Sequence, residues 1–505
     1  MPLARISREK QAGLAFWAAR VLEECDKASA GFEADPVHDL RVAIRRCRSM
    51  ADGFRSVDPD PAWKEMKRLA KPLFASLGEL RDTQVMMEWV AKLVPSDDVL
   101  AQSLATALQK KEAAQKDAAQ VALADFDRKQ WAGLNDHLVK RTGRIPLEGL
   151  IFQHLALERW TEARALHRQA LRNRSGVAYH RLRIGIKRLR YTAENFLPER
   201  HERWSKDLRE LQDALGEVHD LDVLRSMIRA HPHIEAAERQ IWHKRISEER
   251  EKRLHLYRHK MLGEHSLWKV WRGELPAGQA LEEAAMEKLR SWGSFLDPDV
   301  AHSARVTRLA LQLFDGLSQC RISCLGPGFR RILEAAAMLH DVGKGGGNGR
   351  GGHQKRSYRM VSKLAPPLGW SVEDMHCVAA IVRYHRGRLP VSSNSSFVGL
   401  SAKMRRKVLP VIGVLRLANA FDEAHDGRIA TLSVERKDGV FTVYTDGLQP
   451  ISPAAERIAR SRYLLETTCQ CPILVRPMLS ERGSRSARMK PRRQAAAVMQ
   501  GKRRA

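Results

Sequence analysis

Two histidines and two aspartates in the second half of the chain have the residue types and settings of metal ligands. His302 lies on an apolar helical face with Val306 one turn later, and Asp422 follows apolar residues at helical steps. A single core histidine is most often structural, whereas a carboxylate buried without a partner costs several kcal/mol. A divalent cation would remove that cost if it bound the whole set, which comprises His302, His340, Asp341 and Asp422. Such mixed ligands suit Mn, Fe, Co, Ni or Zn, and suit Mg less well.

Four residues of this region have the chemistry to assist metal-dependent hydrolysis of a phosphate ester or anhydride. Asp341 could orient the attacking water, and His353 and His385 could bind phosphate or protonate the leaving oxygen. Lys344 follows closely after the adjacent pair His340-Asp341 and could neutralise a phosphate. The glycine-rich segment 343–352 is predicted to be a flexible, cationic loop, with a surface loop of no function as the alternative. It lacks the P-loop pattern.

The first half of the chain carries two copies of a basic helical stripe, 142 residues apart. Steps of three and four residues place most of each stripe on one helical face. Arginine suits phosphate because its planar fork of donors stays charged. A solvated cationic face is the alternative for one copy, but two copies favour a groove for a linear, densely charged polymer. The stripes are His38, Arg41, Arg45, Arg46 and Arg48, and then His180, Arg183, Lys187, Arg188 and Arg190.

A second motif is duplicated in the same order as the stripes. LGELRDTQV occupies 77–85 and LGEVHDLDV occupies 215–223. Two different motifs that repeat in one order indicate a duplication. The first region is therefore predicted to form two similar helical halves related by a pseudo-twofold axis.

The elements that must position these residues are predicted to be almost entirely helical. Of the 505 residues, 43% are hydrophobic and only 6% aromatic, which favours helices over a β-sandwich or barrel. Apolar residues recur at helical steps up to about residue 265 and again over 295–428. One β-hairpin is predicted around the Lys-Asp-Gly turn of TLSVERKDGVFTVYTD, and a helix follows over 453–469.

The predicted fold class is mainly α, with a duplicated antiparallel helical bundle followed by a helical domain that carries a small β-hairpin and helix appendage. The predicted boundaries are 1–265 for the bundle, with repeats at about 1–135 and 136–265, 266–294 for a linker, 295–428 for the metal-binding domain, 429–478 for the appendage and 479–505 for a basic, disordered tail.

The net charge of +28 predicts a polyanionic partner, which could be nucleic acid, an anionic membrane or a phosphate polymer. No stretch approaches ~18 consecutive apolar residues and the start lacks a signal-peptide pattern, so we expect a cytoplasmic protein without a membrane span. The seven cysteines form no CxxC pair, and reduced thiols are expected. No residue pattern predicts an oligomeric state.

The first region resembles the CHAD family of helical domains over about residues 1–265. The resemblance rests on the two stripes and the two LGExxD segments, which occur in the expected order in both halves. It implies that the ten stripe residues bind inorganic polyphosphate in a basic central channel. Arg81-Asp82 matches the Arg-Asp pair of the family, whereas the second copy has His219-Asp220 at that place.

The four predicted metal ligands resemble, in order, the H…HD…D signature of HD-domain metal-dependent phosphohydrolases. The surrounding segments, such as AAMLHDVGK and IVRYHRGRLP, are most similar to the helical HD-type domain of the exopolyphosphatase/guanosine pentaphosphatase family. That family carries its chemistry in an actin-like domain, whose glycine-rich phosphate motifs are absent from this chain. Gln354 and Arg356 stand where the family often has histidines.

Together the two regions predict a polyphosphate-binding protein whose HD domain hydrolyses phosphoanhydride or phosphoester bonds with a divalent metal, in the cytoplasm and on polyphosphate granules. Its substrate could be polyphosphate, a nucleotide or a guanosine alarmone. The alternatives are a non-catalytic scaffold on the granules, and a nonspecific nucleic-acid binder that uses the stripes and the basic tail. Base-stacking aromatics do not interleave with the stripes, apart from Tyr191, and this weighs against nucleic acid.

Overall fold

The protein is mainly α, as predicted, with one small sheet among the residues that the structure describes. A computed structural model describes residues 13–93, 98–230, 235–321, 324–345, 352–391 and 394–478. The predicted basic tail lies outside these ranges, as does most of the predicted glycine-rich loop. Within these ranges, no helix has the length and apolar character needed to cross a membrane.

The helices and strands follow one another in two compact units. The first unit comprises Met1–Pro298 and Val342–Met375, and the second comprises Asp299–Asp341 and His376–Ala505. In chain order the elements are α1 Leu14–Ala28, α2 Ala34–Phe54, α3 Ala62–Leu69, α4 Lys71–Leu93, α5 Val99–Ala124, α6 Arg128–Thr142, α7 Leu150–Asn173, α8 Gly176–Phe196, α9 Pro198–Ala230, α10 Ala236–Met261, α11 Leu267–Gly273, α12 Gly278–Ser294, α13 Val300–Gln319, α14 Phe329–Leu339, α15 His353–Val361, α16 Val372–Tyr384, the short 3-10 helix Ser395–Phe397, α17 Ala402–Phe421, β1 Leu432–Lys437, β2 Val440–Thr445, α18 Pro453–Ser461, α19 Tyr463–Cys469 and β3 Ile473–Pro477.

The two stripe helices of the first unit, α2 and α8, pack against each other. At their contact the ring of Phe54 meets the ring of Phe196 edge-on, with the centroids 5.2 Å apart. A Cβ atom on Gly53 would lie 2.3 Å from the Phe196 ring, so only glycine allows this approach. The duplicated stripes therefore lie on two neighbouring helices whose apolar side chains share one hydrophobic core.

Residues 266–294, where a linker is predicted, form α11, α12 and their connection within the first unit. Trp268 and Trp271 of α11 are 1% exposed and belong to the same core as α2 and α8. Lys288 of α12 forms an ion pair of 2.7 Å with Glu158 of α7. Two large aromatic side chains thus anchor this segment to the bundle.

Two buried histidines should make the first unit sensitive to acid. Burial is the main cause that lowers the pKa of His154 and of His167 from 6.5 to about 4. His154 Nε2 accepts a hydrogen bond from the Leu368 N–H at 3.0 Å, which requires the unprotonated nitrogen. Between about pH 6.5 and 4 the unfolded chain binds more protons than the folded chain, so stability falls as the pH is lowered through this window. Each shift corresponds to about 3 kcal/mol.

We expect the melting temperature, followed by circular dichroism, to fall steeply from pH 6.5 to 4 in the wild-type chain. A chain carrying His154→Gln and His167→Gln should show a shallower fall, because these groups no longer titrate. Equal slopes in the two chains would contradict this account.

The second unit combines helices with a three-stranded sheet. β1 pairs antiparallel with β2 through the predicted turn, where Asp438 and Gly439 both have positive φ, as a two-residue hairpin turn requires. β3 pairs parallel with β2 and was not predicted, because its short apolar run follows directly on a helix. The helix predicted over 453–469 is divided into α18 and α19 at Arg462.

Two cysteines of the second unit depart from the expectation of reduced thiols. Cys324, before α14, and Cys469, at the end of α19, are joined in a disulfide with 5.8 Å between their Cα atoms. Their separation of 145 residues carries no local spacing signal. The other cysteines of the chain are free thiols.

Candidate functional site

The packing of α2 against α8 brings cations from both repeats close together. Lys187 of α8 is half-buried, and loss of contact with water is the main cause that lowers its pKa from 10.5 to about 7. Arg183 on the same helix adds to this effect, and so do Arg45 and Arg41 of α2. The Arg45 guanidinium stacks over the Tyr191 ring of α8 at 5.3 Å. These residues form a shared basic cluster that is short of anions.

The glycine of each LGE motif leaves room beside it for the first arginine of a stripe. Arg41 Nη1 donates a hydrogen bond to the Phe74 carbonyl at 3.4 Å, and a Cβ atom on Gly78 would lie 2.8 Å from that nitrogen. In the second repeat, a Cβ atom on Gly216 would lie 3.7 Å from Arg183 Nε. The motif glycine thus lies beside the stripe arginine in both halves, more tightly in the first.

One end of the cluster opens into a pocket of about 380 Å³. Arg48 Nη1 donates to the Lys67 carbonyl at 2.9 Å, and its guanidinium stacks over the Phe74 ring at 5.0 Å. The carboxylate of Asp52, which is ion-paired with Lys67, also lines the pocket. The cationic lining residues are Arg45, Arg48, Lys67, Arg159 and Arg188. Arg159 was not singled out in the sequence, since it belongs to neither stripe.

Histidines and aspartates lie beside the other part of the cluster. The rings of His180 and His219 are 4.6 Å apart, and His219 Nδ1 lies 3.2 Å from Asp220 Oδ1. Burial first, and neighbouring cations second, lower the pKa values of His38 and His180. Burial raises the pKa of Asp82, although Arg41 opposes that rise. Neutral imidazoles here retain one N–H donor for an anion.

Three of the predicted stripe residues are paired with glutamates. Arg46 forms an ion pair with Glu194, donates to Asn195 Oδ1 at 3.1 Å and stacks over Trp17. Arg190 Nε lies 3.9 Å from Glu194, and Arg188 Nη1 is bonded to Glu162 at 2.6 Å. Arg46 therefore fastens α2 to α8, whereas the half-exposed Arg188 also lines the pocket.

In the second unit, three predicted site residues directly follow the ends of helices. His340 comes after α14, His385 after α16 and Asp422 after α17. The last carbonyls of a helix lack intrahelical partners and carry the negative end of the helix dipole. These positions therefore favour a cation.

The histidine rings are oriented by those free carbonyls. His340 Nδ1 lies 2.7 Å from the Ala337 oxygen, and His385 Nδ1 lies 2.8 Å from the Val382 oxygen. A carbonyl only accepts, so both Nδ1 atoms carry the proton and both Nε2 atoms present lone pairs. The Nε2 atoms lie 3.2 and 3.7 Å from the carboxylate of Asp341.

His302 of α13 joins this group through its own Nε2 atom, 3.6 Å from Asp341 Oδ2. Its backbone N–H donates to Asp299, the N-cap of α13, at 2.9 Å. Its ring stacks on His425 with 3.8 Å between centroids, and His425 Nδ1 lies 2.6 Å from Asp299 Oδ2. His425 was missed in the sequence, although it lies only three residues after Asp422.

Asp422 lies behind His302. Its Oδ2 atom accepts hydrogen bonds from His302 Nδ1 and from Arg305 Nε, both at 2.8 Å. Its Oδ1 atom accepts a hydrogen bond from the Gly427 N–H at 3.0 Å. Both oxygens thus have protein partners. Arg305, one turn after His302, was also missed.

The remaining predicted groups belong to the first unit. His353 is the first residue of α15, and Lys344 is half-buried before it. Residues 346–351 of the predicted loop lie outside the described ranges.

The donor set fits a divalent cation. Ligand atoms of His302, His340 and Asp341 all lie within 4.8 Å of one another, and the three residues are buried. The Nδ1 atoms of His302, His340 and His385 are each held by an oxygen, which is the second layer of contacts that metal-ligating histidines usually have. The imidazole Nε2 atoms of three histidines face the buried carboxylate of Asp341. A positive charge between these acceptor atoms would compensate the cost of burying the carboxylate.

Comparisons with known proteins match two separate regions. Residues 15–229 match the family model of the CHAD domain, and residues 287–442 match that of the Ppx/GppA phosphatase, domain III. The crystal structure of the CHAD domain from the plant Ricinus communis is similar with 21% identity and a TM-score of 0.36, over 53% of this chain and 90% of that one.

A short segment also matches a curated relative. Over 56 residues, the chain is 43% identical to the bifunctional uridylyltransferase/uridylyl-removing enzyme of Azospirillum brasilense. The match covers 11% of this chain and 6% of that enzyme, so the chain spans only a small part of the length of the relative.

Proposed function

We propose that this chain, which carries a CHAD domain over residues 15–229 and a region matching Ppx/GppA phosphatase domain III over 287–442, binds inorganic polyphosphate and hydrolyses phosphoanhydride bonds with a divalent metal. Binding belongs to the first unit and hydrolysis to the second.

One observation carries the binding proposal: cations from both repeats crowd one another around Lys187. Removal of the Lys187 amine from water lowers its pKa to about 7, and the neighbouring Arg183, Arg45 and Arg41 add to the fall, so a polyanion bound here would favour its charged form. The contacting helices α2 and α8 offer guanidinium forks and one amine on two neighbouring stripes, which suits a repeating phosphate chain.

The hydrolytic proposal rests on the centre around Asp341. His302, His340, His385 and Asp341 would hold the ion, and imidazole with carboxylate suits Mn, Fe, Co, Ni or Zn better than Mg. A bound divalent ion polarises a phosphoryl group and lowers the pKa of water.

The neighbouring residues have positioning roles in this proposal. Asp422 accepts a hydrogen bond from His302 Nδ1 and so orients the Nε2 atom of His302 towards the ion. Arg305 in turn holds Asp422 in place through its own hydrogen bond. This differs from the sequence prediction, in which Asp422 was a ligand. The roles predicted for Lys344 and His353, neutralising and protonating phosphate oxygens, stay predictions.

One gel tests both parts of the proposal. A polyphosphate chain-length ladder is incubated with the full chain, Mn²⁺ and excess competitor DNA, and half of each sample is deproteinised before loading. We expect retarded bands in the native half and shortened chains in the deproteinised half. Retardation without shortening with any of the candidate metals would leave a polyphosphate-binding scaffold. No retardation against competitor DNA would overturn the binding proposal and favour a nucleic-acid binder.

Polyphosphate affinity should depend on pH through Lys187. Its pKa of about 7 in the free protein will rise when a polyanion binds, so binding above pH 7 takes up a proton. Affinity should therefore fall from pH 7 to 9 by up to about tenfold per unit, while it changes little from pH 7 to 6 through this group. Calorimetric titrations in buffers of different ionisation enthalpy would measure the proton uptake.

The matched control is Lys187→Arg, which keeps the charge and stays protonated at pH 9. This variant should bind with a flatter pH profile above pH 7. An unchanged profile would mean that Lys187 is not part of the binding surface.

A further inference from the structure

Lys187 is the one primary amine among the ten stripe residues of the first unit. The first repeat has Arg45 at the matching position, so the two repeats differ chemically at this place. A guanidinium stays protonated, whereas an ammonium group that gives up its proton becomes a nucleophile. The second repeat therefore carries a group that can form a covalent bond where its counterpart can only bind an anion.

The surroundings of Lys187 favour its unprotonated form. Loss of contact with water is the main cause that lowers its pKa to about 7, neighbouring arginines add to the fall, and an aspartate opposes it. At pH 7 about half of such amines are unprotonated, compared with about 1 in 2,500 for a lysine of ordinary pKa. The charged groups that interact with Lys187 come from three helices and are Arg41 and Arg45 of α2, Arg183 of α8, and Asp213 and Asp220 of α9.

The guanidiniums beside Lys187 have donors that a phosphate could use. Within the described ranges, the Nε atoms of Arg45 and Arg183 are buried and have no hydrogen-bond partner. Buried donors are normally paired, so two unpaired donors in one basic cluster favour a bound anion. A small phosphate held there would bring the group that it carries next to the amine, which is only half-buried.

We propose that Lys187 is a modification site that takes an acyl group from a small acyl phosphate held by the guanidiniums of Arg45 and Arg183. Such a molecule combines the two features that this place selects, an anionic phosphate and an electrophilic carbonyl carbon. Acylation removes the charge of the amine, so the modified chain binds polyphosphate more weakly. This last effect rests on the binding function proposed above, whereas the modification itself does not.

The reaction is an acyl transfer from oxygen to nitrogen. The unprotonated Lys187 Nζ atom forms a bond to the carbonyl carbon, and the bond from that carbon to the bridging oxygen breaks. Orthophosphate leaves with the electron pair of that bond, and the nitrogen gives its proton to water. Arg45 and Arg183 stabilise the charge of the leaving phosphate. The product is a neutral amide.

The test incubates the full chain with acetyl phosphate and measures the acetylated fraction of each lysine over time by peptide mass spectrometry. Lys110 and Lys111, which are exposed on α5, serve as reference lysines in the same sample. At pH 7 Lys187 should react at least ~10-fold faster than these references, because far more of it is unprotonated. Its rate should level off above about pH 8, while the reference rates rise about tenfold per unit up to pH 9.

A second arm tests the bound phosphate. Excess tripolyphosphate should protect Lys187 from acetyl phosphate and leave Lys110 unprotected. Arg183→Gln should slow the reaction of Lys187 with acetyl phosphate about tenfold, and should slow its reaction with the phosphate-free N-hydroxysuccinimidyl acetate much less. Equal rates at Lys187 and the reference lysines would overturn the inference, and so would a rate at Lys187 that tripolyphosphate leaves unchanged.

The consequence is measured as retardation of a long polyphosphate by the chain before and after acetylation. Acetylation should lower the affinity about tenfold. The matched control is Lys187→Arg, which has no amine at this position and should show the same affinity before and after treatment. Selective acetylation of Lys187 without loss of affinity would refute the effect on polyphosphate. An untreated chain that binds no polyphosphate would refute the binding function, while selective acetylation would still support the modification site.

Discussion

If the proposed metal centre is correct, replacing Asp341 with alanine will abolish binding of the divalent ion and lower phosphate release at least ~100-fold. Loss of a residue that only orients a ligand already costs about 10–100-fold in metal affinity or activity, and Asp341 is the carboxylate on which three imidazole Nε2 atoms converge. The measurement is metal content by mass spectrometry after gel filtration, together with orthophosphate release from polyphosphate.

Two variants sharpen this experiment. Asp422→Asn should have an intermediate effect, because it weakens the hold on His302 Nδ1 but leaves the four proposed ligands in place. Asp426→Ala removes an exposed aspartate that pairs with Arg428 and should retain both metal and activity. Unchanged metal content in Asp341→Ala, with the melting temperature preserved, would show that the ligand set is wrong.

Reversing the charges of Arg41 and Arg183 will weaken polyphosphate binding by ~100-fold or more. Each arginine is the first of its stripe and lies beside the glycine of its own LGE motif. Two charged hydrogen bonds of about 1.5–3 kcal/mol each account for a change of this size. Retardation of a long polyphosphate at several protein concentrations measures the loss.

The control must change the total charge by the same amount. Lys110→Glu/Lys111→Glu does so on the exposed face of α5, away from the stripes. If binding is governed by total charge alone, the two double variants will lose the same affinity, and the groove proposal fails. Circular dichroism establishes that both variants remain helical.

The sequence predicted the arrangement of the first unit best where identical residue types recurred. The repeated stripes and LGE motifs predicted two similar helical halves. In the structure the two stripe helices, α2 and α8, pack together. The direction of each side chain was not predictable, because it depends on partners distant in sequence. Arg46 illustrates this: it lies on the flank of its stripe, directly after Arg45, and its ion pair with Glu194, 148 residues away, joins α2 to α8.

Helix ends explain what the sequence could and could not say about the second site. The glycine after His340-Asp341 marked the end of a helix, and the structure places His340 directly after α14. The carbonyl that fixes the tautomer of His340 and of His385 belongs to the residue three positions earlier. A histidine directly after the end of a helix therefore indicates, from the sequence alone, an imidazole oriented in this way. The contacts of Asp422 could not be predicted from the sequence. Its two carboxylate oxygens accept hydrogen bonds from His302, Arg305 and Gly427, and these contacts form only through tertiary packing.

The Cys324–Cys469 bond changes the unfolded chain more than the folded one. Closing a loop of 145 residues removes conformational entropy from the denatured ensemble, worth about 5 kcal/mol at 25 °C in the chain-entropy treatment. That loop includes His340, Asp341 and His385, whereas His302 lies outside it. A sample kept in strong thiol reductant would give up this entropic contribution and melt at a lower temperature. The choice of buffer during purification would then decide whether the ligand-bearing segments remain assembled for a metal to bind.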